Sequence, residues 1–192
     1  MFQADGRTAR ELLREHIPLV QAFFDANPEY ERLINGRDPP PDVAAIDFDE
    51  RPPPHLGATW HGHLGLFDGE GRLDAVVIVD RDLGAPGVWH IALFIVATRL
   101  QRSGFAQRLY AALEAWIAAQ GAAWLRLVVV DRNVRARRFW AACGYVPVRM
   151  WRGIDTGARL NDVHVMLKPL QGGTLDAYLA AVPRDRPDST LP

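Results

Sequence analysis

The period of the apolar positions changes several times along this chain, and each change marks an element. Residues 9–14 read as a short strand. From Ile17 the apolar positions Ile17, Val20 and Phe24 recur at helical spacing until Asn27 and Pro28 interrupt them. A second short helix over 28–35 stops at Gly36, a residue type favoured just past helix ends. Residues 37–54, rich in proline and aspartate, predict an irregular segment too long for a plain connection, and so a candidate binding loop. Strands follow at 58–67, 73–80 and 88–96, the first two joined by a hairpin turn at 68–71. Phe105, Leu109, Leu113, Trp116 and Ile117 then mark one face of a long helix ending at Gly121. A buried-type strand at 124–130 precedes a shorter helix over 134–142, and strands at 145–152 and 162–168 complete the set. The tail, 171–192, holds one weak helical stretch and then a polar run expected to fray.

The order β-α-α-β-β-β-α-β-α-β-β places antiparallel strands ahead of a β-α-β unit. It predicts an α+β fold: a mixed, mostly antiparallel central sheet flanked by helices, in one domain over 1–170 with a tail at 171–192. Composition narrows the class further. With 192 residues and 48% hydrophobic positions the chain can bury a core. Its single cysteine, Cys143, excludes an intrachain disulfide and fits a reducing, cytoplasmic setting. No apolar run approaches a membrane span, and no export signal opens the chain. A net charge of −1 argues against nucleic acid as partner.

Candidate chemistry gathers where the strand at 88–96 turns into the long helix. Residues 97–106 form a basic, glycine-containing turn, and a helix start exposes N–H groups that hold phosphate. Gly104 and Ala106 allow close approach of a ligand, and Ser103 is a candidate N-cap. A mononucleotide P-loop is excluded, and the glycine spacing of a dinucleotide fingerprint is missing. One β-α unit further on, Asn133, Ala136, Phe139, Gly144 and Tyr145 are regularly spaced along and just past the next helix.

Together the two segments resemble the GNAT superfamily of N-acetyltransferases. Gln101, Gly104 and Ala106 match its Gln/Arg-x-x-Gly-x-Gly/Ala signature, and Asn133, Ala136, Phe139, Gly144 and Tyr145 match its second signature. The element order is also that family's, over roughly residues 9–168. The resemblance implies acetyl-CoA as co-substrate, with no metal, and the amine of a small molecule or peptide as acceptor, attacking directly in a ternary complex. It implies a V-shaped opening between strands 88–96 and 124–130. Phe94, Ile95 and Val96 would meet the pantetheine arm, and Gln101, Arg102, Ser103, Gly104, Phe105 and Ala106 the pyrophosphate. Asn133 would bond the arm, a role compatible with capping its own helix. Homodimers are usual in the superfamily. Trp140 stands where many members carry a tyrosine that protonates the thiolate, and an indole is no acid at neutral pH. A non-catalytic acyl-CoA-binding or sensing module, or transfer of a longer acyl group, are the rival readings.

Among candidates for the general base, His90 comes first by position and ordinary pKa. His61 and His63 share a strand face, half of a metal site without an evident third ligand. Cys143, Trp60 and Trp89 read as packing. Glu29, Tyr30 and the 37–54 segment fall on the acceptor side of the resemblance. Counted by segment, the near-neutrality is a cancellation. Residues 1–98 hold 8 basic and 16 acidic groups, whereas 99–138 hold eight arginines against Glu114 and Asp131. A basic cofactor side facing an acidic acceptor side suits a polyphosphate donor and a cationic amine.

Overall fold

The computed structural model describes residues 1–156 and 158–191. A single eight-stranded sheet carries the fold. Its strands are β1 (Gln3–Ala4), β2 (Arg7–Glu11), β3 (Trp60–Phe67), β4 (Leu73–Arg81), β5 (Val88–Val96), β6 (Trp124–Val130), β7 (Val146–Asp155) and β8 (Leu160–Pro169). They lie in the order β1-β2-β3-β4-β5-β6-β8-β7, and every pairing is antiparallel except β5 with β6. This is the predicted α+β architecture. The first strand is displaced: β2 starts at Arg7, ends at Glu11 and pairs with the short β1.

The helices are α1 (Ile17–Ala26), α2 (Glu29–Asn35), α3 (Val43–Asp49), α4 (Phe105–Ala118), α5 (Val134–Ala142) and α6 (Leu175–Ala181). On one face of the sheet, α4 lays Leu113 and Ile117 against Leu64, Val77, Trp89, Leu125 and Leu127, with Trp140 of α5 beside them, and Leu109 against Leu66, Ala75 and Val96. On the other face, α1 and α3 pack Val20, Phe23, Phe24 and Phe48 over Val76 and Ile95. β4 lies between, buried on both sides from Leu73 to Asp80, and its near-continuous apolar run follows from that position.

Two expectations need correction. The segment 37–54 contains α3, because Ala44 and Phe48 stand one turn apart and both are buried on α1. Gln21 pins its start, donating to Pro40 O at 2.9 Å and accepting from Ala44 N at 3.1 Å. The tail does not fray either. Tyr178 and Val182 pack on Val88, Val148, Val165 and Leu167. Asp185, wholly buried, accepts from Arg126 Nε at 2.7 Å and from the Tyr178 hydroxyl. The sequence shows this segment as polar, and its polar groups are what it buries. Among the described residues no helix is long and apolar enough to cross a membrane.

Removing one partner of a buried ion pair strands the other charge, at a cost of roughly 3–5 kcal/mol. Asp185→Ala should therefore lower the unfolding free energy by about that much in urea titrations. A tail resting loosely on the surface would give a change within about 0.5 kcal/mol.

Candidate active site

The central opening comes from strand register. β5 and β6 pair only from Val88 with Trp124 to Ile91 with Leu127. There β5 carries one extra residue: Val79 faces Ile91 and Ile78 faces Leu93, which leaves Ala92 as a bulge. Beyond it β5 follows β4 while β6 follows β8 out to Val130 with Val163. The parallel neighbours therefore part. Ala92 is exposed and Leu93 and Phe94 are only half-buried, in the middle of the sheet. From Ala92 to Val96, alternate N–H and C=O groups of β5 face no strand on that edge.

At the end of β5 a 3-10 turn, Thr98–Leu100, leads to the start of α4. Arg102 and Gly104 both take positive φ, 63° and 77°, and this is the strained turn that the glycine relieves. Gly104, not Ser103, holds the N-cap position, and no side chain caps it. Ser103 Oγ donates to Leu100 O at 2.7 Å and accepts weakly from Phe105 N at 3.3 Å. The first turn of α4 thus begins with N–H groups at an uncapped helix start. A Cβ at Gly104 would meet only the flexible end of Arg108, Nη1 at 2.9 Å, so what restricts the position is its positive φ.

The two sequence signatures meet in space. Gln101 Oε1 accepts from Arg135 Nη1 at 2.8 Å, joining the turn before α4 to the first turn of α5. Asn133 caps α5 through its Oδ1, which accepts from Ala136 N at 3.0 Å, and its amide group is what remains to donate. Trp140 is 7% exposed, with its ring 5.3 Å from those of Phe94 and Tyr145 and 5.4 Å from that of Tyr110. Ile95 is buried under α1 and α3, and Val96 packs on Phe105 and Leu109.

On the face bearing α1–α3 and α6, one polar row crosses four strands. His61 lies opposite Asp80, Asp80 opposite His90, and His90 opposite Arg126, one pair before the strands part. His61 Nδ1 is 2.6 Å from Asp80 Oδ1. His90 Nδ1 is 3.2 Å from both the carbonyl oxygen and Nη1 of Arg126. Burial and the Arg126 guanidinium push His90 down to about 3, far from the ordinary value expected of it. His63 stacks on Phe48 at 4.3 Å, and burial and His61 hold it near 4. No group of three or more metal-ligating side chains assembles among the described residues. Cys143 ends α5 half-buried, and burial raises its thiol to about 11, leaving it protonated.

On the side where the resemblance set the acceptor, the ties at Asn27 and the carboxyl of Asp47 are features the sequence did not single out. Asn27 Oδ1 accepts from Thr98 N at 2.6 Å and Glu29 accepts from Thr98 Oγ1 at 2.7 Å, so the α1–α2 junction is tied to the end of β5. Glu29 thereby serves the scaffold, and Tyr30 lies exposed on α2. Asp47 of α3 is raised to about 7 by burial and by Glu50 and Glu31. Trp60 and Trp89 pack against Trp116 under α4, as expected of sheet tryptophans.

A parallel pair of strands splayed by a bulge leaves main-chain groups free along β5, and an uncapped helix start with free N–H groups stands at its end. Residues 21–145 match the family model described as Acetyltransferase (GNAT) family. The fold is similar to an acetyltransferase from Thermus thermophilus (TM-score 0.68, 19% identity, 88% of this chain and 100% of that one). It is similar to spermidine N-acetyltransferase from Vibrio cholerae, solved with CoA and spermine (TM-score 0.66, 16% identity, 86% and 96%). It is also similar to the ribosomal-protein-S18-alanine N-acetyltransferase of Escherichia coli (TM-score 0.61, 17% identity, 88% and 97%). No curated protein sequence matches it. The chain belongs to the GNAT acetyltransferase family, and it is an acyltransferase of that class.

His63 and His90 are neutral when folded and titrate near 6.5 when unfolded, so the unfolded chain binds more protons in between. Their stabilisation is complete above about 6.5 and declines as pH falls towards 4, by up to roughly 1.4 kcal/mol per pH unit for each imidazole. Urea midpoints measured from pH 7.5 to 4 should fall in that window, and His90→Gln should flatten the slope. A flat profile in the parent protein would refute the assignment.

Proposed function

We propose that this protein transfers an acetyl group from acetyl-CoA to a primary amine of a small molecule or peptide, by direct attack in a ternary complex. The observation that carries this reading is the open edge of β5 beside an uncapped α4 start, bridged to α5 through Gln101 and Arg135. The main chain at Phe94, Ile95 and Val96 would hold the donor's arm, with the Asn133 amide group donating to it. The turn from Gln101 through Arg102, Ser103, Gly104 and Phe105 to Ala106 would hold its phosphates. The donor supplies a thioester already activated for attack, so the chain's task is to position the amine and to stabilise the oxyanion with fixed N–H groups. Trp140 walls the opening, and its indole has no proton to give at neutral pH, which leaves the departing thiolate to solvent. A single cysteine, with no partner in the chain for a disulfide, fits a reducing, cytoplasmic setting.

His90, held near 3, orients the incoming amine as a hydrogen-bond acceptor and does not take its proton. The amine must therefore arrive neutral. We expect kcat/KM to rise with pH along the acceptor's own ionisation. His90→Gln should lower the rate and leave the shape of that profile unchanged. An acidic limb between pH 6 and 7 that vanishes in His90→Gln would identify His90 as the base and overturn this role.

Thiol release from acetyl-CoA, followed with a broad amine panel, tests the activity itself. Gly104→Glu places a carboxylate in the phosphate turn at a positive-φ position and should cut CoA affinity at least tenfold, and rising salt should weaken the parent's affinity. CoA binding without turnover on any amine would favour a sensing module, for which the buried Trp140 is the supporting observation.

A further inference from the structure

The parting of β5 and β6 has two faces, and the one that carries α1–α3 and α6 has apolar lips. Beyond the last pair, Ile91 with Leu127, the side chains on that face are Leu93 on the β5 lip and Val128 and Val130 on the β6 lip. Leu93 leans on the cluster under α1 and α3, and Val128 packs with the clusters of Tyr178 and of Ile34. Leu93 and Val128 are only half-buried, although β5 and β6 are interior strands of the sheet. Apolar surface left open there carries a cost that an apolar ligand would remove.

α2 passes over the wide end of the parting. Its start is tied to the end of β5, where Asn27 and Glu29 accept from Thr98. Its last turn is tied to the start of β8, where Asn161, 2% exposed, donates to Ile34 O at 3.1 Å. β6 lies between β5 and β8, so the helix crosses from one lip to the other and sets Ile34 on Val130 and Val163. Its seven residues span roughly 10 Å, about two strand spacings.

Charge around this mouth opposes a second cation. Trp151 packs in the same clusters as Val128, and the guanidinium carbons of Arg126, Arg149 and Arg184 lie 5.4, 5.6 and 4.9 Å from its ring centre. The nearby carboxylates are taken or distant. Asp185 bonds Arg126, and Glu31 Oε1 accepts from Asn35 Nδ2 at 2.8 Å. Asp47 sits over His63, its carbonyl oxygen 3.2 Å from Nε2. His63 faces Ile78, which faces Leu93, so that carboxyl belongs to a strand about 10 Å from the lip.

We propose that the acceptor is a hydrophobic monoamine, whose hydrocarbon body lies between Leu93 and Val128 beneath α2 with its nitrogen towards His90. Val128 is the specificity-determining residue. An apolar mouth also favours the neutral amine, the form that must attack. The inference rests on the acetyl-transfer reading and names the substrate class of that site.

The experiment compares hexylamine with cadaverine, which are matched except that an ammonium replaces the terminal methyl. Thiol release should give the parent enzyme a kcat/KM at least tenfold higher for hexylamine. Along ethylamine, butylamine and hexylamine it should rise about three- to fourfold per methylene. Val128→Asp should narrow the hexylamine preference at least tenfold, chiefly through KM, and Val128→Ile should keep it. Leu93→Gln, on the other lip, should narrow it too and decides if Val128→Asp does not fold, with thermal midpoints as the check. A parent that uses cadaverine equally well, a flat alkyl series, or a folded lip variant with the parent's ratio overturns the proposal. Should no amine be turned over, the acetyl-transfer reading fails separately, and calorimetry of hexylamine and cadaverine on the protein with CoA decides. Tighter binding of hexylamine that the lip variant loses supports the mouth, whereas equal binding or none overturns it.

Discussion

One extra residue in β5 organises the molecule. Had β5 run without the bulge at Ala92, it would stay paired with β6 along its whole length, and the sheet would be closed in the middle. The bulge turns β5 towards β4, while β8 holds β6 on its own course. Unpaired main-chain groups in a sheet interior are unfavourable unless something else bonds them, so the parting is stable only as a place for water or an extended ligand. Both loops that matter depend on it. α4 starts where β5 ends and α5 starts where β6 ends, and the divergence of the strands sets the spacing that the Gln101–Arg135 bond spans.

The arginine-rich middle of the chain is less of an open cationic surface than its count implies. Asp74, wholly buried, accepts from Arg7 and Arg99, Arg137 pairs with Asp131 at 2.7 Å, and Arg135 is engaged by Gln101. Several of the eight arginines between 99 and 138 are therefore structural ties that hold the turn before α4 and α5 in place. Arg102 and Arg138 are exposed next to the turn and along α5. The opposite side keeps an acidic character at Glu31, Asp47 and Glu50, where burial and mutual repulsion keep one carboxyl near 7. Segment charges mark one basic and one acidic side of the molecule, while pairing decides which of those charges are presented.

What could be read in the sequence were the features governed by local spacing. The stripe from Phe105 to Ile117, the continuous apolar run of β4, and the Asn133 cap each follow from neighbours a few residues away. The helix α3 was hidden because prolines and aspartates on both sides mask a two-residue buried pair, Ala44 and Phe48. Ser103 looked like the cap of α4, yet the positive φ of Gly104 carries the chain into the helix one residue later. His90 shows the limit most clearly. Its place beside the opening followed from strand order, but its charge state depends on Arg126, 36 residues away, and no local pattern reports that distance.

Arg126 in turn would be intolerable on a sheet interior without Asp185, and Asp185 belongs to a segment that local polarity marks as disordered. The tail is thus what permits a guanidinium beside His90. Remove the carboxylate and Arg126 loses its only bonded anion among the described residues, leaving a buried guanidinium without a direct partner two residues from the strand parting. Keep it, and Arg126 is neutralised on one side while repelling protons from His90 on the other. The same tail brings Arg184 over the Trp151 ring, 4.9 Å from its centre, beside Arg126 and Arg149. The C-terminal segment therefore does more than cover the sheet: its buried carboxylate lets an arginine lie two residues from the strand parting and hold His90 neutral.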